Sequence, residues 1–393
     1  MAYRARRRIR HWRRAVIGGI LAAVAAAALG WSSPAIVPVG LVTAIGSADV
    51  KAVAFSPDGR LLAAGYGDGA LRLWDVATDQ ASGPVLQVGS GPQGGSAVNG
   101  VAFSPDGSLL ADADADGTIG LRDPVTRQPA LSPLRAGSGV NGLAFSPDVG
   151  VLAAGYGDGT IRLWNLATGQ VYGPVLRTGP GQQGGSAVNG VAFSPDGGLV
   201  AAGYGDGTIR LWNVLTDQVY GPVLRDGSGS RGGVNTVAFS PDGSLLAAGY
   251  GDGAVELWDV DSSRPSRPPM QADSAVNGVA FSPDGKLLAS ADANGTIGLW
   301  DPASGQATRS PLRVGSAVNG VAFSPDGKLL ASADANGTVK LWNTAGDGPA
   351  APLGGRIILL AAVFAAALAV VAVTITTRDI WRARPGRPNP GRN

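Results

Sequence analysis

VAFSPDGGLVAAGYGDGTIRLWN, residues 191–213, decides the fold. Near copies of its first half recur seven times, with the phenylalanine at Phe55, Phe103, Phe145, Phe193, Phe239, Phe281 and Phe323. Nineteen residues after each stand Trp74, Arg122, Trp164, Trp212, Trp258, Trp300 and Trp342. A period of about 40–50 residues marks units that cannot bury their apolar faces alone and therefore stack on their neighbours. Within each unit Ser-Pro-Asp-Gly, as at Ser56 to Gly59, fits a type I turn with Pro second and Gly fourth. An apolar strand follows, such as Leu61, Leu62, Ala63 and Ala64. Asp-Gly or Asn-Gly then appears at fixed distance, for instance Asp68-Gly69 and Asn294-Gly295, a hairpin signal whose favoured turn takes positive φ at both central residues. The third strand, TIRLW at 208–212, is rich in β-branched and aromatic residues. A fourth is expected around PVLR and PLR, at 174–177 and 311–313. Four antiparallel strands in each of seven units make a seven-bladed propeller.

The units resemble WD repeats over about residues 39–345. The resemblance implies a closed ring used as a protein-interaction platform, with an N-terminal strand completing the last blade. Residues 39–45 are a spare apolar segment suited to that strand, since 343–356 offers none. Both chain ends would then leave one side of the disk. Two departures stand out. The Gly-His pair that the resemblance leads one to expect is missing in all seven copies, so a His–Asp–Trp hydrogen-bond network cannot form, and Arg122 replaces Trp in blade 2. Both imply less rigid blades.

Composition narrows the chemistry. The 393 residues include 61 Gly, no Cys and a single His, His11, in the basic leader. Thiolate sites, disulfides and His-based catalysis or metal binding are thus excluded from the repeats. The net charge of +2 is segregated. Seven Arg lie in 1–14, and six Arg with one Asp lie in 356–393, leaving 18 basic against 28 acidic residues between. That acidic middle argues against nucleic acid as a partner.

Residues 15–31 and 357–377 carry no charge. At 1.5 Å per residue the second would span about 31 Å, the thickness of a bilayer core, and the first about 26 Å. The first also fits a cleavable signal peptide. Arginines precede the first segment and follow the second, so the positive-inside rule puts both termini in the cytoplasm and the repeats outside it. The expected fold class is therefore all-β, a seven-bladed WD-repeat β-propeller flanked by two transmembrane helices. Its parts would be a basic cytoplasmic N-terminus (1–14), a transmembrane helix or signal peptide (15–31), a linker (32–38), the propeller (39–345), a linker (346–356), a transmembrane helix (357–377) and a basic cytoplasmic tail (378–393).

Candidate sites are few. Asp112, Asp114 and Asp116, with Asp123 at the twelfth place, match the spacing of a calcium loop, although the same positions form the ordinary hairpin of every other blade. Tyr66, Tyr156, Tyr204 and Tyr250 precede the Asp-Gly turns by two and suit either a contact surface or wedge filling between blades. An Asn recurs four residues before Phe in six blades, as at Asn99 and Asn319, and suits hydrogen bonding at the strand start. No nucleophile–base set and no phosphate loop is present. The expectation is a non-enzymatic, cofactor-free, membrane-anchored scaffold for a protein partner, in a chain whose Ala, Gly, Arg and Val content is of a bacterial type. The alternative is a receptor for a small molecule or glycan in the propeller channel or on its top face.

Overall fold

Seven antiparallel sheets form from the seven repeats, with strands added in chain order. The structure, a computed structural model, describes residues 40–42, 48–88, 95–177, 185–225 and 231–344. The apolar segments expected to cross a membrane, 15–31 and 357–377, lie outside these residues, as do both linkers and both tails. Among the described residues no helix is long and apolar enough to cross a membrane.

Blade 4 shows the plan: Val188–Phe193, Leu199–Tyr204, Ile209–Asn213 and Gln218–Leu224. Its first strand neighbours the first strands of blades 3 and 5, and the same relation runs round the ring to blades 7 and 1. Each second strand is sandwiched between adjacent blades, so nearly all its side chains are buried, and in blades 1, 3, 4 and 5 its sequence is an apolar run ending on tyrosine. The core is accordingly a set of wedges. Ala63, Leu71 and Leu73 of blade 1 pack on Val98, Val101 and Leu110 of blade 2. On its other side blade 1 sends Leu62, Tyr66 and Trp74 against Ala331, Val339 and Leu341 of blade 7.

The ring closes as the sequence leads one to expect. Gly40–Val42 pairs antiparallel with Val339–Asn343, setting Gly40 opposite Leu341 and Val42 opposite Val339. A second closure device runs along the first strands. Asn99 Nδ2 donates to the carbonyl of Val140 in the next blade at 2.9 Å, and Asn141, Asn189, Asn235 and Asn277 do the same onward. Asn319 completes the circuit on Val50 at 2.7 Å. Blade 1 holds Lys51 at this position, ion-paired to Asp49 at 2.7 Å.

Two local expectations need correction. In the Asp-Gly hairpins only the glycine is left-handed: Gly69 has φ +80°, whereas Asp68 is not among the positive-φ residues. Gly69 N donates to Tyr66 O at 3.1 Å, so each hairpin is a four-residue turn ending on a left-handed Gly. The fourth strand is continuous only in blades 3 and 4, as Gln170–Leu176 and Gln218–Leu224. In blade 7 it is the three-residue Gly40–Val42, and elsewhere it is cut to two-residue pieces such as Leu134–Arg135. An outermost strand has no neighbour beyond it, so little buried surface disciplines its sequence.

The Ser-Pro-Asp-Gly turn also ends on a left-handed residue, Gly59 at φ +71°. Blade 3 departs from this, since Ser146-Pro147-Asp148 is followed by Val149 at φ +60°. A β-branched residue in that region is strained by about 1–2 kcal/mol. Val149→Gly is expected to raise stability by about 1 kcal/mol, the relief being partly offset by lost apolar cover, and thermal melting of the variant checks it.

Candidate functional site

The blades fall into two chemical classes, distinguished at one buried slot on the second strand. In blades 1, 3, 4 and 5 the slot holds Tyr66, Tyr156, Tyr204 and Tyr250, all at 0–1% exposure. A contact surface needs exposed rings, and these are wedge fillers between blades. Tyr66 lies 6.5 Å from Trp74, centroid to centroid. Trp164 Nε1 donates to Tyr156 Oη at 3.0 Å. Guanidinium groups cover the rings, Arg72 at 4.9 Å from Tyr66 and Arg162 at 5.4 Å from Tyr156, while Arg231 covers Tyr250 at 5.5 Å. Burial pushes the Tyr66, Tyr156 and Tyr204 phenols up to about 12.

In blades 2, 6 and 7 the slot holds Asp114, Asp292 and Asp334, all buried. Blades 6 and 7 answer the charge locally. Thr296 Oγ1 donates to Asp292 Oδ2 and Thr338 Oγ1 to Asp334 Oδ2, both at 2.9 Å, and Lys340 Nζ adds an ion pair to Asp334 at 3.1 Å. Their tryptophans donate to serines, Trp300 to Ser290 at 3.1 Å and Trp342 to Ser332 at 3.2 Å. The missing histidine network is thus replaced by Tyr–Trp packing in four blades and Trp–Ser with Thr–Asp bonds in two.

Blade 2 differs from both classes. Asp112 takes the place of serine and Arg122 that of tryptophan, paired at 3.1 Å between Nε and Oδ1. Asp114 is 1% exposed, and neither carboxylate oxygen has a hydrogen-bond partner. Desolvation, then the neighbouring Asp112 and Asp116, push its carboxyl up to about 8. Burial also raises Asp112, against the pull of Arg122.

The calcium spacing does not become a cage. Asp112 faces Arg122, and Asp116 Oδ1 accepts the Thr118 amide of its own turn at 2.9 Å. Asp123 Oδ1 accepts the Val125 and Thr126 amides, each at 2.8 Å. Among the described residues no group of three His, Cys, Asp or Glu could hold a metal.

Two faces remain for contact. Leu329 pairs with Asn343, so the chain leaves blade 7 beside its Ser-Pro-Asp turn, and the pairing of Gly40 with Leu341 brings the N-terminal strand in at the same face. On this face each turn is tied by one motif. Ser56 Oγ donates to Asp58 Oδ1 at 2.6 Å and accepts from Leu61 N at 2.8 Å, while Arg60 N donates to Asp58 Oδ1 at 3.0 Å. The serine hydroxyl first, then the backbone amide, holds Asp58, Asp106, Asp148, Asp196, Asp242, Asp284 and Asp326 below the usual carboxylate range. Grooves open between blades here, with volumes of about 620 Å³ between blades 4 and 5, 360 Å³ between 5 and 6, and 480 Å³ between 6 and 7.

The opposite face carries the Asp-Gly and Asn-Gly turns. Their side chains cap their own loops, as where Asp68 Oδ1 accepts from Ala70 N at 3.0 Å. The longest loops leading into the blades, over 89–94, 178–184 and 226–230, lie outside the described residues. The arrangement offers turns, grooves and fixed charges, the equipment of recognition.

Residues 142–350 match a β-propeller family model described as nucleolar protein 10-like, N-terminal domain. Residues 41–75 and 83–123 match the WD domain, G-beta repeat. No curated protein gives a significant match. With more than half of its length under the first model, and with seven four-stranded units closing on one another, the chain belongs to the nucleolar protein 10-like family of WD-repeat β-propellers.

Proposed function

We propose that the chain is a membrane-anchored, non-catalytic interaction scaffold whose propeller stands on the extracytoplasmic side of a bacterial cell membrane and presents its Asp-Gly face to a protein partner. The observation that carries this reading is the pairing of Gly40–Val42 with Val339–Asn343, which brings both chain ends to one face. Two uncharged segments flanked by arginine, 15–31 and 357–377, continue from those ends and have the length and charge bias of spans. A ring held from one face leaves the other free. The absence of Cys and the confinement of the sole His to the leader argue for binding without catalysis.

The Cys-free chain provides its own test. Asp252→Cys, on an Asp-Gly turn, is expected to react with a membrane-impermeant maleimide in intact cells, whereas Arg382→Cys reacts only after lysis. The reverse pattern rejects the orientation, and recovery of the chain in the soluble fraction rejects the anchor.

A further inference from the structure

The heptapeptide QVYGPVL occurs twice, as the outermost strands Gln170–Leu176 of blade 3 and Gln218–Leu224 of blade 4. In both, the tyrosine stands opposite an equivalent leucine, Leu163 with Tyr172 and Leu211 with Tyr220. Their surroundings differ nonetheless. Tyr172 packs on the apolar wedge between blades 3 and 4, while Tyr220 is 37% exposed. The segments that the next blade sets beside the two strands also differ. After its third strand blade 4 continues Val214-Leu215-Thr216-Asp217, and blade 5 continues Val260-Asp261-Ser262-Ser263. Blade 5 therefore offers a carboxylate where blade 4 offers Leu215. Ser263 approaches Gly221 as Asp217 approaches Gly173, so a hydroxyl stands where blade 4 has a second carboxylate.

A groove of about 620 Å³ results between blades 4 and 5. Tyr220, Val260 and Leu199 supply an apolar wall, and Asp196, Asp242 and Asp261 supply carboxylates. Among the described residues no Lys or Arg lines it. Asp242 is fixed by hydrogen bonds from Ser240 at 2.6 Å and from Ser244, and Asp196 by Ser194 at 2.5 Å. These groups are set in place before any ligand arrives.

We propose that this groove docks an extended segment of a partner protein through one Lys or Arg side chain, its aliphatic stem against Tyr220 and Val260 and its cationic head at Asp242 and Asp261. An acidic side chain would meet three like charges. A purely apolar one would leave the carboxylates without a counter-charge. A long basic side chain joins an apolar stem to a charged head and fits both parts of the wall. A cation near the tyrosine face gains further attraction. The groove opens at the outer strand of the ring on the Ser-Pro-Asp side, not on the Asp-Gly face, so it is a second contact beside the one proposed above and needs only the closed ring.

The test uses the full chain and a fluorescein-labelled hexapeptide, Gly-Ala-Lys-Ala-Val-Gly, beside versions carrying Glu or norleucine in place of Lys. Fluorescence polarisation at low salt should show the Lys peptide binding about tenfold tighter than either version, and weakening as salt is raised. Asp261→Leu, which installs the blade 4 residue, and Tyr220→Ala should each weaken it about tenfold, with Tyr220→Phe retaining binding. Both positions are at the surface, and unchanged melting temperatures establish that the variants are folded. Equal binding of the norleucine peptide, indifference to Asp261→Leu, or no binding at millimolar peptide overturns the proposal. So does self-association of the chain that occupies the groove and excludes the peptide. The maleimide labelling reads out independently, so failure of the topology and failure of the groove are separable.

Discussion

Asp114→Asn is expected to stabilise the propeller at pH 8 by about 3 kcal/mol and to leave its stability near pH 4 almost unchanged. The reason is the setting of this carboxyl, buried between blades 1 and 2 with no hydrogen-bond partner and with Asp112 beside it. The blade 1 surface across the interface is apolar, formed by Ala63, Leu71 and Leu73. The charged groups that face it come from blade 2 itself: Asp112, Asp116 and, in attraction, Arg122. A carboxyl at about 8 in the folded chain and near 4 in the unfolded one favours folding fully below pH 4. That contribution is lost progressively as pH rises from 4 through 8, because the unfolded chain ionises freely and the folded chain resists. An amide has no such charge to suppress, although it brings polar atoms into the same dry site and thereby lowers the gain. Asp292, pushed up to about 6 chiefly by burial, adds to the wild-type loss in the same direction. The Ser-Pro-Asp carboxylates oppose it, since their lowered pKa values make them lose stabilisation only on strong acidification. Wild-type melting temperature should therefore peak in the mildly acidic range, with the gap to Asp114→Asn widening steadily to pH 8. A gap independent of pH would refute this account.

Deleting residues 40–42 should lower stability by about 3–5 kcal/mol and make the chain prone to association. Three residue pairs between Gly40–Val42 and Val339–Asn343 disappear, and the latter becomes a bare edge. Val339 and Leu341, at 0% and 4% exposure, belong to the wedge that seats Tyr66, so the damage spreads from blade 7 to blade 1. The bond from Asn319 to Val50 spans the same junction. Calorimetry should show a lowered, broadened transition, and size-exclusion chromatography a concentration-dependent oligomer. An unchanged sharp transition would mean that the ring closes without this strand.

Much of this was legible in the residues. The constant distance from Phe193 to Trp212, repeated round the chain, carries the blade count, and the spare segment before Phe55 carries the closure. The orientation of Tyr66 and its equivalents was harder to read. Alternation normally separates buried from exposed positions, but a strand wedged between two sheets buries both faces, so its pattern is silent. A usable signal lay across the repeats. Tyr156 comes with Ala154 and Arg162, whereas Asp292 comes with Ser290 and Gly298, so the slot and its neighbours change together. The greater exposure of Tyr220 had no local signal at all, because its heptapeptide is identical to that of the partly buried Tyr172.

Read from blade 1 to blade 7, the slot runs Tyr, Asp, Tyr, Tyr, Tyr, Asp, Asp. Repeats this alike invite stacking out of order during folding, because each could nestle on several wrong neighbours. Each slot side chain lies in the seam with another blade, as Tyr66 lies against blade 7. A blade docked in the wrong seat would set a bulky phenol in a niche shaped for a carboxyl, or a carboxyl in a phenol-sized hole. The uneven spelling of one position can thus give otherwise interchangeable units an address.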